Sequence, residues 1–297
     1  MKHKLLTIGD NCFDITIKGK FKFESDKNFI PENYKALPAG TGVNFAAAFG
    51  VFFGESYYFT PISKDSFGNE IKQFLIANNV KLLGKETDKN TALIIAMVNN
   101  TGERSTFALL KNASYEDISF KEFEKIKEGF DAIYISCGIC TTQKVQREIL
   151  KIAEEAKLNR IKVFFDPQIR IGKDIPGFLN SAIQLSEISD IIFANSEELK
   201  AMDIPQEGFI VDKKGEKGAV VFYNSKRISV KGIKVNVADT TGAGDIFNAA
   251  FLSEILSDKT IAESLKFANY AAALSITKKG VYIPKRSDVE KFIEKTK

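Results

Sequence analysis

The sequence has 297 residues, 44% apolar and 27% charged, with 42 basic side chains against 38 acidic ones. That length supports a core without metal or disulfide staples, and a net charge of +4, spread over lysines interspersed with carboxylates, gives no basic surface for nucleic acid. His3 is the only histidine, which excludes Ser-His-Asp triads, HExxH zinc sites and multi-histidine metal centres. In chain order, Leu5 to Ile8 reads as a buried strand, and Ile15 to Phe23, with its Lys/Phe alternation, as an exposed ribbon. Val43 to Phe53 has helical period with Phe45, Phe49 and Phe52 on one face, a core stripe rather than a stacking surface, and Ile71 to Leu75 lies in a second helical stretch. Thr91 to Phe107 is another ribbon, with hairpin chemistry at Asn99-Asn100-Thr101-Gly102. Strands then follow at Ala132 to Ser136, Lys162 to Phe165, Ile191 to Ala194 and Ala219 to Phe222. Helical stretches lie at Thr142 to Leu158, Ser196 to Met202 and Ile246 to Leu256, and Glu290 to Lys297 reads as a solvated helix end.

Strands alternating with helices predict an α/β fold with a central, mostly parallel sheet flanked by helices. No linker, repeat or low-complexity tract divides the chain, so the expectation is one domain over residues 1–297. The two ribbons predict a small β-sheet lid formed by insertions at about 15–36 and 91–112. The longest apolar run, Phe45 to Phe53, falls short of a membrane span. Met1 to Asp10 has too few apolar residues for a signal peptide. With three cysteines, this points to a reducing, cytoplasmic setting.

The strongest chemical signal is Asp239-Thr240-Thr241-Gly242-Ala243-Gly244-Asp245 before the apolar helix. Small residues at a helix start let backbone N–H groups converge on an anion, and the helix dipole favours negative charge there. An aspartate just inside that start is placed to take a proton from a hydroxyl while the amides hold a transferring phosphoryl group. The alternative is an ordinary glycine-rich helix start with Asp245 as dipole partner.

This segment resembles the C-terminal signature of the ribokinase/PfkB carbohydrate kinases, and further matches follow that family's order along nearly the whole chain. They are Gly9-Asp10-Asn11-Cys12-Phe13-Asp14, Pro38-Ala39-Gly40-Thr41-Gly42-Val43-Asn44-Phe45-Ala46, Asp65-Ser66-Phe67-Gly68, Asp166-Pro167-Gln168-Ile169-Arg170, Asn195-Ser196-Glu197-Glu198, Gly215-Glu216-Lys217-Gly218 and Phe267-Ala268-Asn269. The resemblance implies a ribokinase-like fold and an ATP- and Mg²⁺-dependent sugar kinase. In that reading Asp245 is the catalytic base, and the N–H groups of Gly242, Ala243 and Gly244 form the anion hole. Asp14, Asn11, Gly40 and Asn44 contact the sugar, with Lys111 and Arg170 supplying positive charge. Asn195, Gly215, Gly218 and Asn269 line the nucleotide site, and Glu198 orders Mg²⁺ through water. Asp239 would take part in a monovalent-cation (K⁺) site behind the anion hole. The implied partner is a small sugar, with homodimerisation through the lid, where Phe21 and Phe23 alternate with Lys20 and Lys22.

The chain departs from the family pattern at Ala39, which replaces the first of two paired glycines, at Lys213, where many members have Thr, and at Ser63, which replaces a frequent Gly. None lies within the Asp239 to Asp245 segment. The non-kinase rival is a thiol-redox protein on Cys137-Gly138-Ile139-Cys140, a CxxC between a predicted strand and helix. Gly40-Thr41-Gly42-Val43-Asn44-Phe45 starts like a dinucleotide fingerprint but lacks the third glycine, and no Walker A motif occurs. For substrate, Asp166 to Arg170 resembles fructokinases and 2-keto-3-deoxygluconate kinases, and Ile8 to Ile15 is similar to fructosamine kinases. A keto-hexose or hexose derivative is therefore favoured, then a sugar acid held by Lys111, then a nucleoside.

Overall fold

The computed structural model describes residues 3–19, 28, 30–99, 101 and 103–296, and of Ile171 only the backbone. Strands β1 (Leu5–Ile8), β2 (Cys12–Lys18) and β3 (Asn33–Ala39) precede α1 (Thr41–Phe53). Then come β4 (Ser56–Tyr58), β5 (Ile62–Ser63), α2 (Ser66–Ala77), β6 (Val80–Leu82), β7 (Glu86–Thr87), β8 (Ala92–Val98), β9 (Arg104–Leu109) and α3 (Phe120–Glu124). Strands and helices next alternate through β10 (Ala132–Ser136), α4 (Gln143–Leu158), β11 (Lys162–Asp166), α5 (Ile169–Gly172), α6 (Phe178–Ile188), β12 (Ile191–Asn195), α7 (Ser196–Ala201) and β13 (Ile210–Lys213). The hairpin β14 (Ala219–Tyr223) and β15 (Lys226–Val230) leads to α8 (Ala243–Ile255), α9 (Ile261–Ser275) and α10 (Arg286–Lys295).

The large sheet has nine strands in the order β15-β14-β13-β12-β11-β10-β1-β4-β6. It is parallel from β13 to β6, and β14 and β15 add antiparallel strands at one edge. Alternation along each strand supplies two cores. Leu6, Ile8, Ile133, Ile135, Val163 and Phe165 face α4 and α6, while Leu5, Tyr134, Phe164 and Phe193 face α1, α8 and α9. The predicted phenylalanine stripe belongs to the second core: Phe45 and Phe49 are fully buried, and the Phe45 ring stacks on Tyr134 with centroids 3.5 Å apart.

The small sheet runs β3-β2-β8-β9, with β2 and β8 parallel and both outer pairs antiparallel. It differs from the predicted ribbons at both ends. The first strand starts three residues earlier, at Cys12, and the chain returns along Asn33–Ala39 in a strand that the pattern does not announce. That strand is a mostly exposed edge, where Pro38 needs no ladder donor and apolar alternation is not enforced. Residues Lys20 to Phe23, and Asn100 and Gly102 of the predicted turn, lie outside the described residues. The turn's flanks are joined by the Asn99 N–H donating to the Glu103 carbonyl at 3.0 Å.

One backbone contact sets the entry of α1. A Cβ on Gly42 would lie 2.6 Å from the Cα of Gly9, and one on Gly9 would lie 2.7 Å from the Cα of Gly42. The first turn of α1 thus docks directly on the chain leaving β1. Gly→Ala inside a helix normally stabilises by about 0.5–1 kcal/mol. Here the sign reverses: Gly42→Ala should destabilise the protein by about 1–3 kcal/mol in urea unfolding, as overpacking does. A stabilised variant would show that the contact does not fix the helix.

Candidate active site

The parallel strands deliver side chains to one end of the sheet. Ser136 pairs with Asp166 at the ends of β10 and β11, and Asn195 pairs with Lys213 at the ends of β12 and β13. From β1 the chain passes to β4 on one side and later to β10 on the other, so the strand order reverses there. In open α/β sheets ligands bind outside the carboxyl ends of strands at such a reversal. Asp10 sits in that crevice, accepting from the Thr41 N–H at 3.2 Å and from the Thr41 hydroxyl, with the Ser136 hydroxyl at 3.4 Å. Burial raises its carboxyl, while the Thr41 hydrogen bonds pull it back.

Helix α8 enters beside this crevice. Gly242 caps it with φ +76°, the left-handed region where glycine is favoured. The Ala243 N–H donates to the Thr240 carbonyl at 3.3 Å, so of the three proposed anion-hole amides that of Ala243 already closes a local turn. Asp245 is the third helical residue, 5% exposed, and accepts from Asn44 Nδ2 at 2.8 Å. Burial pushes its carboxyl well above the usual carboxylate range. The Asn44 hydrogen bond opposes this, Asp166 and Asp10 add to it, and Lys213 subtracts from it.

Gly40 caps α1 at φ +109°, and a Cβ there would meet the Asp10 carbonyl at 2.5 Å. Asn44 lies one turn into the same helix. Asp14 on β2 is half-buried, its carboxyl raised by burial and by Asp239, with Arg104 opposing. Four of the seven buried side-chain atoms without a hydrogen-bond partner among the described residues are Asp14 Oδ1, Asn44 Oδ1, Asp166 Oδ1 and Asn248 Oδ1. Buried acceptors are normally satisfied, so Asp14 and Asn44 keep capacity for further donors, while Asp166 and Asn248 are themselves fully buried. Asn11, expected beside the sugar, faces the other way: its Nδ2 donates to Tyr58 and to the Pro61 carbonyl at 3.2 and 2.9 Å, and its Oδ1 accepts from Ser114 at 2.8 Å. That fully used, fully buried amide braces the turn instead. It stands three residues from Asp14 in nearly extended chain, and an odd separation points to opposite faces.

On the other side of the crevice, Asn195 caps α7, its Oδ1 accepting from the N–H groups of Glu197 and Glu198 at 2.9 Å each. Glu198 completes the capping box on the Asn195 N–H at 2.9 Å and also accepts from the Ile169 N–H at 3.2 Å. Burial and then Asp166 raise its carboxyl, with Lys213 opposing. Arg170 is exposed on α5, and Lys111 is exposed in the turn after β9. Gly215 and Gly218 shape the β13–β14 turn with φ of +56° and +97°. Asn269 on α9 donates to the Lys231 carbonyl at 2.8 Å. Asp239 accepts from the Thr241 N–H and hydroxyl and from the Gly280 N–H. Those bonds outweigh burial and hold its carboxyl below the usual range. Its oxygens therefore fasten the loop before α8.

Sequence reasoning gave no role to Asp10, Thr41, Ser136, Tyr134 or Asn248. Asp10 carries a readable signal, an aspartate two residues beyond a buried strand, whereas Tyr134 and Ser136 join this region through the register of β10 and Thr41 and Asn248 through the packing of α1 and α8. Cys137 and Cys140 are fully buried, and burial drives the Cys137 thiol up, the opposite of a redox-active pair. Among the described residues no group of three or more His, Cys, Asp or Glu could hold a metal ion, and no helix is long and apolar enough to cross a membrane.

The ribokinase of Haemophilus influenzae is 26% identical over 320 residues, covering 99% of this chain and 99% of that protein. The fructokinase of Vibrio alginolyticus is 23% identical over 295 residues, covering 90% and 95%. A structure from Escherichia coli in complex with ATP and Mg²⁺ has the same fold at TM-score 0.87 and 22% identity, with 99% of both chains covered. The expected ribokinase-like α/β architecture is therefore the one observed. The pfkB family carbohydrate kinase model matches residues 2–288, and the chain belongs to that family.

Proposed function

We propose that this carbohydrate kinase transfers the γ-phosphoryl group of ATP to a primary hydroxyl of a keto-hexose or hexose derivative of the fructose or fructosamine type. The observation that carries this is Asp245: a buried carboxylate in the first turn of α8, held by Asn44, whose own Oδ1 has no partner. A sugar hydroxyl is both donor and acceptor, so it can donate to Asp245, while neighbouring hydroxyls donate to Asn44 Oδ1 and Asp14 Oδ1. Gly242 and Gly244 add backbone amides for the transferring group, and the start of α8 adds its dipole.

The site's chemistry also fits Mg²⁺-ATP. Glu198 and Asp166 are oxygen donors whose mutual repulsion raises the Glu198 carboxyl after burial has done so. Glu198, held by the Asn195 N–H, would order a hard cation through its waters without an all-protein cage, and Asn195 would serve by fixing Glu198. When bound, Mg²⁺ neutralises charge on the donor phosphates. The nucleotide would lie along Gly215, Gly218 and Asn269. The small sheet acts as the lid of a single domain, with Asp14 on its inner face. Tyr34, Phe107 and Leu109, exposed by 70%, 52% and 52%, lie on the opposite face and support pairing with a second copy. A sugar acid is the second reading, favoured by Arg104 close enough to oppose the raised carboxyl of Asp14.

Asp245→Asn should lower kcat by at least about a hundredfold while leaving ATP affinity near wild type, as loss of a general base does. Because burial raises the folded-state carboxyl above its unfolded value, ionising it costs stability at neutral pH, and that cost fades as pH falls toward about 4. The same variant should therefore melt higher than wild type at neutral pH, the gap closing in acid. Near-normal turnover would overturn the assignment. An ATP-consumption screen over fructose, fructosamines, ketodeoxygluconate, ribose and nucleosides should favour the ketoses; turnover confined to nucleosides would exclude the substrate proposed. Lys111→Ala should raise KM for a sugar acid about tenfold more than for fructose, the scale of one charged contact. Equal effects would remove Lys111 from the site.

A further inference from the structure

One cation in the site has no role in the mechanism above. Lys213 ends β13, yet its side chain crosses the end of β12 to bring its ammonium 3.2 Å from Asp166 Oδ2 on β11. The pair is mostly buried, with 17% of the Lys213 side chain and 1% of the Asp166 side chain exposed. A Cβ on Gly244 would lie 3.7 Å from the same ammonium, which therefore rests against the glycine loop one residue before Asp245. Asp166 is itself fixed, accepting from Asn248 Nδ2 at 2.6 Å and from the Tyr134 hydroxyl at 3.3 Å. A buried ion pair about breaks even against well-packed apolar residues, so stability alone does not account for this one.

Asn44 of α1 bonds the Asp245 carboxylate directly, and the titratable groups whose charges act with it come from the turn after β1 (Asp10), β2 (Cys12), β10 (Tyr134), β11 (Asp166) and β13 (Lys213). Of these only Lys213 is positive. We propose that Lys213 is a positioning residue of the kinase reaction: anchored by Asp166 against the glycine loop, its ammonium favours the ionised Asp245 carboxylate that a base requires. This rests on the reading of Asp245 as the base. Burial and two neighbouring carboxylates push Asp245 toward its protonated form, and the one ammonium pulls against them.

The test is a ¹³C-carboxyl NMR titration of Asp245, assigned by loss of its signal in Asp245→Asn and run alongside the pH profile of kcat. Lys213→Met should move the Asp245 midpoint up by about one pH unit or more, the usual effect of losing an adjacent opposite charge. The acid limb of kcat should move with it, whereas Lys213→Arg should preserve both. If Lys213→Met fails to fold because Asp166 is left unpaired, the comparison is repeated with Lys213→Gln, whose neutral amide can still donate to Asp166 and which should raise the midpoint likewise. A midpoint unmoved by Lys213→Met, or a turnover loss equal at all pH values, overturns the proposal. A normal shift without turnover on any sugar overturns the kinase reading on which it rests.

Discussion

The 2.8 Å hydrogen bond from Asn44 to Asp245 joins the first turn of α1 to the first turn of α8 through residues 201 apart in sequence. Each helix arrives there for its own steric reason. The start of α1 is set by the Gly9–Gly42 approach, and that of α8 by the left-handed Gly242. With both starts fixed at one end of the sheet, a donor and a carboxylate meet out of water, where a hydrogen bond to a charged group is strong and an unpaired charge is costly. The two helices also pack along their lengths. The core that stabilises them thus defines the geometry of the Asn44–Asp245 pair.

The charge pattern follows from the same placement. Parallel strands end together, so whatever residue closes each strand joins one local field. Here those residues and their neighbours include Asp10, Asp166, Glu198 and Asp245, with Lys213 among them. Phosphoryl transfer asks mainly for positioning and compensation of negative charge. A carboxylate-rich crevice with one resident ammonium is suited to a donor that arrives with its own cation. The balanced overall charge of the chain is consistent with this, since compensation is arranged locally.

The sheet strands and the phenylalanine stripe were legible because buried parallel strands read as short β-branched runs and helices as 3.6-residue periods. The strands Ala132 to Ser136 and Ile191 to Asn195 and the helix holding Phe45 fall within a residue or two of expectation. Asn33–Ala39 was illegible because an exposed edge needs no apolar alternation. Asp245 and Asn44 stood out through their glycine-rich surroundings, which give a local signal. The bonds of Asn11 were illegible because its partners, Tyr58, Pro61 and Ser114, lie 47 to 103 residues away in sequence. The pairing of Lys213 with Asp166 depends on how far a lysine stem reaches across an intervening strand, which no spacing within either segment encodes.

The parallel pairing of β2 with β8 bears on how this chain folds. Its registers, from Cys12 with Ala92 to Lys18 with Val98, each span 80 residues. The outer pairs, β2 with β3 and β8 with β9, are consecutive strands, so the parallel seam joins two local ladders and carries the loop-closure cost of the chain between them. Asp14 lies on that seam, paired with Leu37 of the next strand on one side and with Ile94, 80 residues on, on the other, and the loop between Asp14 and Ile94 contains the helix that carries Asn44.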